Sequence, residues 1–177
     1  MANNNAMTNS ANEPIHPRSN QLTQHLDFDD TKASLNLQLN ALNNYLQDRQ
    51  GYRLVIAQGM LAASFLSLTN SQPTLQPDTF IAISPFWPER SLNGLVVDDI
   101  AQAEYPVLDF SIENQSDWAN ETQAQRKISA RNALKMHYRQ ILIPQNPLAF
   151  SLNPKSKSSH IQIVTNHTIG WTRHLGW

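Results

Sequence analysis

The stretch "YRLVIAQGMLAAS", Tyr52 to Ser64, passes from a strand-like pattern into a helix-like one at Gly59. Residues 53–57, "RLVIA", favour β structure and lie between two glycines, which predicts a short buried strand. From Met60 onward the composition favours a helix. The stretch therefore predicts a tight strand–turn–helix unit, because glycine adopts at no steric cost the backbone conformations that such turns need.

The same alternation continues on both sides of this unit. Four leucines at helical spacing predict a helix over 30–49, with Asp29 and Asp30 as its caps. Further strands are predicted at "FIAIS" (80–84), "PVLDF" (106–110) and "YRQILI" (138–143), and further helices over 60–68, 96–104, 119–135 and from 159 onward. Short apolar strands alternating with helices predict a three-layer α/β/α fold with a mostly parallel sheet of about four strands. The carboxyl ends of those strands are the expected functional edge.

Bulk composition narrows the class of protein. The 177 residues suit one domain over 21–177, preceded by a polar tail over 1–20 that offers little to bury. With a net charge of −1, the chain has no electrostatic signature of nucleic-acid or anionic-lipid binding. The absence of cysteine excludes disulfides, thiolate metal sites and cysteine nucleophiles. No membrane span or export signal is visible, so we expect a cytoplasmic protein, or a periplasmic one if the N-terminus is incomplete.

The turn at Gly59 has the local shape on which serine hydrolases carry their nucleophile, between a strand and a helix and flanked by small residues. Gly59 can hold the turn but has no hydroxyl, and Leu61 is larger than the pattern requires. The alternative interpretation is that Gly59 only ends a strand before a helix.

Asp109 and Ser84 are further candidates for parts of an active site. Asp109, in "PVLDF", could orient a catalytic histidine or could hold the structure together, with Arg139 of "YRQ" as its expected partner. Ser84 ends the second strand at the functional edge and is the alternative nucleophile, although no base can be identified for it.

The histidines do not predict a metal site. His160, His167 and His174 recur every seven residues, which separates them by about 10 Å on a helix and is too far for one ion. We therefore expect neither a metal nor a cofactor.

Four motifs follow one another as in an uncharacterised proteobacterial family of α/β-hydrolase fold, known as domain of unknown function 3530. They are "GYRLVIAQGMLAA", "YPVLDF", "YRQILIP" and "TIGWTRHLGW". The chain resembles the C-terminal half of that fold only and lacks its usual N-terminal strands. The resemblance implies that Gly59 stands at the nucleophile's position and Asp109 at the acid's. The histidine expected after the last strand is missing from "PQNPLAFSLNPKSKSS".

These observations predict an α/β-hydrolase-like protein without catalytic activity that acts as a binding or interaction module. The alternatives are an esterase-like serine hydrolase, with a displaced nucleophile or a site completed by another chain, and a structural fragment of a larger assembly. Without a preceding strand, residues 53–57 become a sheet edge with unpaired backbone groups. We expect that edge to be covered by the N-terminal segment, by an unknown protein partner or by a second copy in a homodimer.

Overall fold

The computed structural model describes residues 27–113, 115–144 and 160–177; the predicted tail over 1–20 lies outside these ranges. The helices are α1 (Phe28–Leu46), α2 (Gly59–Ser71), α3 (Arg90–Gln102), α4 (Asp117–Asn132) and α5 (His160–His174). The strands are β1 (Leu54–Gln58), β2 (Thr79–Ile83), β3 (Val107–Ile112) and β4 (Tyr138–Ile143). Helices and strands thus alternate in the predicted order. No helix within the described ranges is long and apolar enough to cross a membrane.

The strands form one all-parallel sheet in the order β1-β2-β3-β4. Each connection between neighbouring strands contains a helix, as parallel pairing requires. Such crossovers are nearly always right-handed, so three successive steps in one direction place α2, α3 and α4 on the same face of the sheet. The predicted three-layer α/β architecture is confirmed.

Each face of the sheet has its own apolar core. On the face of α2, α3 and α4, Phe65 and Ile100 pack against Phe80 of β2. On the opposite face, Trp171 of α5 packs among the apolar side chains of the sheet. The Trp171 indole Nε1–H also donates to the Thr79 hydroxyl over 2.9 Å, which anchors α5 at the amino-terminal end of β2.

The starts of α1 and α3 differ from the prediction because side chains outside the apolar pattern fix them. The Asp27 carboxylate accepts the Asp29 N–H over 2.8 Å and caps α1, so the expected caps lie inside the helix. Helix α3 begins at Arg90 rather than at 96. Its first turn contains the buried Asn93, whose side-chain amide donates to the Trp118 carbonyl over 2.9 Å. This contact comes from a distant segment, which local periodicity cannot reveal.

The strand order places β1 at one edge of the sheet, as predicted, and β4 at the other. It also runs in one direction without a reversal. In open α/β sheets ligands bind in the crevice where the strand order reverses. The sheet of the described residues contains no such reversal, and its carboxyl-terminal edge therefore has no crevice of this kind.

Candidate functional site

The turn between β1 and α2 has the conformation that the sequence predicted. Gly59 is the first residue of α2 and has φ +60°, in the left-handed region that favours glycine. A Cβ added at Gly59 would lie 3.2 Å from Cε1 of Phe86, and the Phe86 N–H donates to the Gly59 carbonyl over 3.4 Å. The aromatic ring therefore fills the space into which a side chain at this turn would project.

Asp109 is buried in the middle of β3, on the face covered by α4. It is the third residue of the strand rather than part of its carboxyl-terminal end. Its side chain has no solvent exposure and forms an ion pair with the equally buried Arg126 of α4, with 2.9 Å between Oδ2 and Nε. A second bond of 3.3 Å joins Arg126 Nη2 to Oδ1, so the contact is bidentate.

All five N–H groups of Arg126 have an acceptor. Besides the bonds to Asp109, Nη1 donates to the Ala119 carbonyl over 3.1 Å and to the Thr122 hydroxyl over 2.7 Å. Nη2 also donates to the Ser111 hydroxyl over 2.8 Å. A buried guanidinium is tolerated only when it is paired and hydrogen-bonded, and both conditions are met here.

Two side chains of β4 complete the shell around the carboxylate. The Tyr138 hydroxyl and the Gln140 amide each donate to Asp109 Oδ2 over 2.9 Å. Burial, and then the negative charge of Asp109, raise the pKa of Tyr138 well above its ordinary value. The phenol therefore stays protonated and remains a donor.

The predicted pair of Asp109 with Arg139 is wrong, and the register explains why. Asp109 lies opposite Gln140, whereas Arg139 lies opposite Leu108. Because successive side chains point to opposite faces, Arg139 lies on the face of α5, where it is exposed.

Sequence reasoning missed Arg126 because α4 is mostly polar. The sequence nevertheless carries a signal of a buried helix face. Four buried residues recur at helical spacing along one side of α4, and two of them are alanines: Ala119, Thr122, Arg126 and Ala130. The small residues leave room for the long arginine side chain between the helix and the sheet.

Ser84 lies directly after β2, at the carboxyl-terminal edge, with an unusual backbone. Its φ is +44°, which costs energy for a residue with a Cβ, and its side chain is buried. The Ile112 N–H donates to the Ser84 hydroxyl over 3.1 Å, and the Ser84 N–H donates to the Phe110 carbonyl over 2.6 Å. Ser64, which follows the turn, is buried within α2.

The structure brings Gly59 and the segment after Ser84 together but leaves Asp109 apart, inside the sheet. Within the described ranges no histidine hydrogen-bonds Ser84 or Asp109. His167 packs its ring against Phe110, with 6.2 Å between ring centroids. The part of the chain that the structure describes also contains no group of three His, Asp or Glu residues placed to hold a metal ion. No nucleophile–base–acid chain is therefore assembled from these residues.

Comparison with known proteins supplies a likeness of fold. No protein-family model matches the chain, and no curated protein matches it in sequence. A solved structure described as a "predicted CIB-like hydrolase" from Thermoplasma acidophilum is similar in fold, with a TM-score of 0.53 and 14% sequence identity. The match covers 84% of this chain but only 60% of that protein. At this identity the likeness shows the fold alone, which is a parallel β-sheet with helices on both faces.

Proposed function

We propose that this protein is a non-catalytic relative of α/β hydrolases that acts as an interaction module. The observation that carries the proposal is the turn at Gly59, which has the backbone of a nucleophile-bearing turn, no hydroxyl, and the Phe86 ring in the space of a side chain. A hydrolase turn needs a nucleophile there, together with a base in hydrogen-bonding reach.

The surroundings of Asp109 support the same conclusion. A catalytic acid must accept a hydrogen bond from a histidine in order to orient it. The Asp109 carboxylate instead receives donors from Arg126, Tyr138 and Gln140 and has no solvent exposure. We assign this residue to the stability of the fold rather than to chemistry.

The four sequence motifs also support descent from the family of domain of unknown function 3530. On that proposal Gly59 stands where the ancestor carried its nucleophile, and the role left to the protein is binding. The surface that we propose for binding is the open edge at β1, offered to an unknown protein partner or to a second copy.

Incubation with a fluorophosphonate probe and with p-nitrophenyl esters tests the absence of catalysis. We expect no serine to be labelled stoichiometrically and no ester turnover above that of the Ser84→Ala variant. Stoichiometric labelling of any serine would overturn the proposal.

A second candidate function is serine hydrolysis at Ser84, and its backbone is the observation that favours it. A positive φ in a residue with a side chain stores strain, and such strain is concentrated at functional sites. Labelling of the unaltered chain that is lost in Ser84→Ala would establish this alternative. Its base would then have to come from another chain or from residues outside the described ranges.

A further inference from the structure

We propose that the open edge of β1 binds an extended strand of another protein, with apolar side chains at alternate positions and an acidic residue at its carboxyl-terminal end. The strand would lie antiparallel to β1 and extend the sheet. This inference names the partner chemistry of the interaction role proposed above and rests on that role.

The backbone of β1 offers free groups on its open side. The Asp78 N–H donates to the Arg53 carbonyl over 3.0 Å, so Arg53 turns its backbone groups toward β2. Successive residues of a strand turn these groups to opposite sides. Leu54, Ile56 and Gln58 therefore turn theirs to the open side, where the described residues supply no neighbouring strand.

The two edges of the sheet differ in how they are protected. Proteins discourage strand addition with charged residues and prolines at an edge. The edge strand β4 carries Arg139 and is followed by Pro144, whereas β1 has neither a charge nor a proline from Leu54 to Gln58. The geometry thus directs an added strand to β1 rather than to β4.

Apolar surface is available on both faces of this edge. On the face of α2, Leu39 and Leu42 of α1 share a cleft of about 230 Å³ with Val55. On the opposite face, the Ile56 side chain is 51% exposed. Side chains of a strand point alternately to the two faces, so the apolar residues at alternate positions of an added strand would enter the cleft, and the residues between them would lie over Ile56.

Charge at the beginning of β1 favours an acidic residue in the partner. A second cleft, of about 460 Å³, contains Arg49 and Arg53. Their guanidinium groups donate to Tyr45 and Asn43, each over 2.8 Å, and within the described ranges neither forms a salt bridge with a carboxylate. Asp78 lines the same cleft and offsets one of the two positive charges, so a net positive charge remains. In an antiparallel strand, the carboxyl-terminal end reaches this cleft.

A second copy fits the edge less well than a single strand. Two-fold pairing about Ile56 would bring the α1 helices of both copies to the same face, because α1 borders the edge there. Paired strands lie about 4.8 Å apart, whereas packed helices need about 8–10 Å between their axes. The two α1 helices would therefore compete for the same space.

Fluorescence anisotropy with a labelled synthetic peptide tests the inference. The probe alternates threonine and valine and ends in two glutamates, and its matched control carries N-methyl groups on alternate backbone amides. We expect micromolar binding of the probe and at least tenfold weaker binding of the control. Ile56→Pro removes one outward N–H and should also weaken binding at least tenfold, whereas Ile56→Thr, which keeps that N–H, should weaken it less. The double variant Arg49→Gln/Arg53→Gln should weaken binding, and Arg139→Gln on the other edge should not.

Each other outcome overturns the inference. Equal binding of the methylated control, or no binding of the probe, would exclude strand addition even if Ile56→Pro failed to fold. If the free protein sediments at twice its 20.0 kDa mass and Ile56→Pro sediments as a monomer, a second copy of the chain occupies the edge of β1. A monomer in which the outward amides of Leu54, Ile56 and Gln58 resist hydrogen exchange without peptide would show that its own chain covers the edge. These results do not depend on fluorophosphonate labelling. A failure of strand addition at β1 is therefore distinguishable from a failure of the proposal that the protein is non-catalytic.

Discussion

Replacement of Asp109 by asparagine is the sharpest test of the buried ion pair. The substitution keeps the shape of the side chain but removes the negative charge that compensates Arg126. It also replaces an oxygen acceptor by an amide, so that one of the groups facing Arg126, Tyr138 and Gln140 becomes a donor. The variant therefore leaves a buried positive charge and at least one buried donor without a partner.

Removing one partner of a buried ion pair lowers the free energy of unfolding by about 3–5 kcal/mol. That is a large part of the roughly 5–15 kcal/mol by which a domain is stable. For a chain of this size, 1 kcal/mol corresponds to about 2–4 °C in Tm, so we expect Asp109→Asn to lower Tm by roughly 6–20 °C. Both side chains of the pair are fully buried, so solvent does not screen the interaction and does not reduce this free-energy cost.

Urea unfolding followed by tryptophan fluorescence measures the effect, with the m value checked for constancy. Arg126→Met should be similarly destabilising. The double variant Asp109→Leu/Arg126→Met should lose less than the sum of the single changes, because it leaves no unpaired charge. Arg139→Met is the matched control: an exposed arginine on the opposite face should change stability by less than about 0.5 kcal/mol. The reasoning fails if Asp109→Asn is as stable as the unaltered protein, or if Arg139→Met is as damaging as Arg126→Met.

Two further predictions concern the turn and the pH dependence. Gly59→Ala should destabilise the protein by about 1–3 kcal/mol, because φ +60° strains a residue with a Cβ and the new Cβ would lie 3.2 Å from the Phe86 ring. Gly94→Ala, in open space on α3, is the control and should instead stabilise the protein by about 0.4–1 kcal/mol. Equal free energies of unfolding for the two variants would contradict this account of the turn. Folding raises the pKa of Tyr138 above its ordinary value of 10.0. Its contribution to the free energy of unfolding is therefore complete below about pH 10 and is lost as the pH rises toward and through the folded-state pKa. Urea unfolding between pH 9 and 11, a range set around that ordinary value, should show stability falling with pH, less steeply in Tyr138→Phe, and identical slopes would refute the assignment.

The candidate site could be predicted only in part. Glycine at the end of a β-favouring run is a local signal, and the turn at Gly59 followed from it. The partner of Asp109 could not be obtained in that way, because the choice between Arg126 and Arg139 depends on the register of β3 against β4. A shift of one residue moves a side chain to the other face of a sheet.

By itself the sequence determined the order of helices and strands, the parallel sheet and the turn at Gly59. Each of these follows from periodicity and connectivity, which act between residues close in the chain. The tertiary structure alone decided that Arg126 neutralises Asp109, that Phe86 fills the space at Gly59 and that α1 borders the open edge. Those contacts join segments distant in sequence, and they depend on register and helix placement that no local pattern encodes.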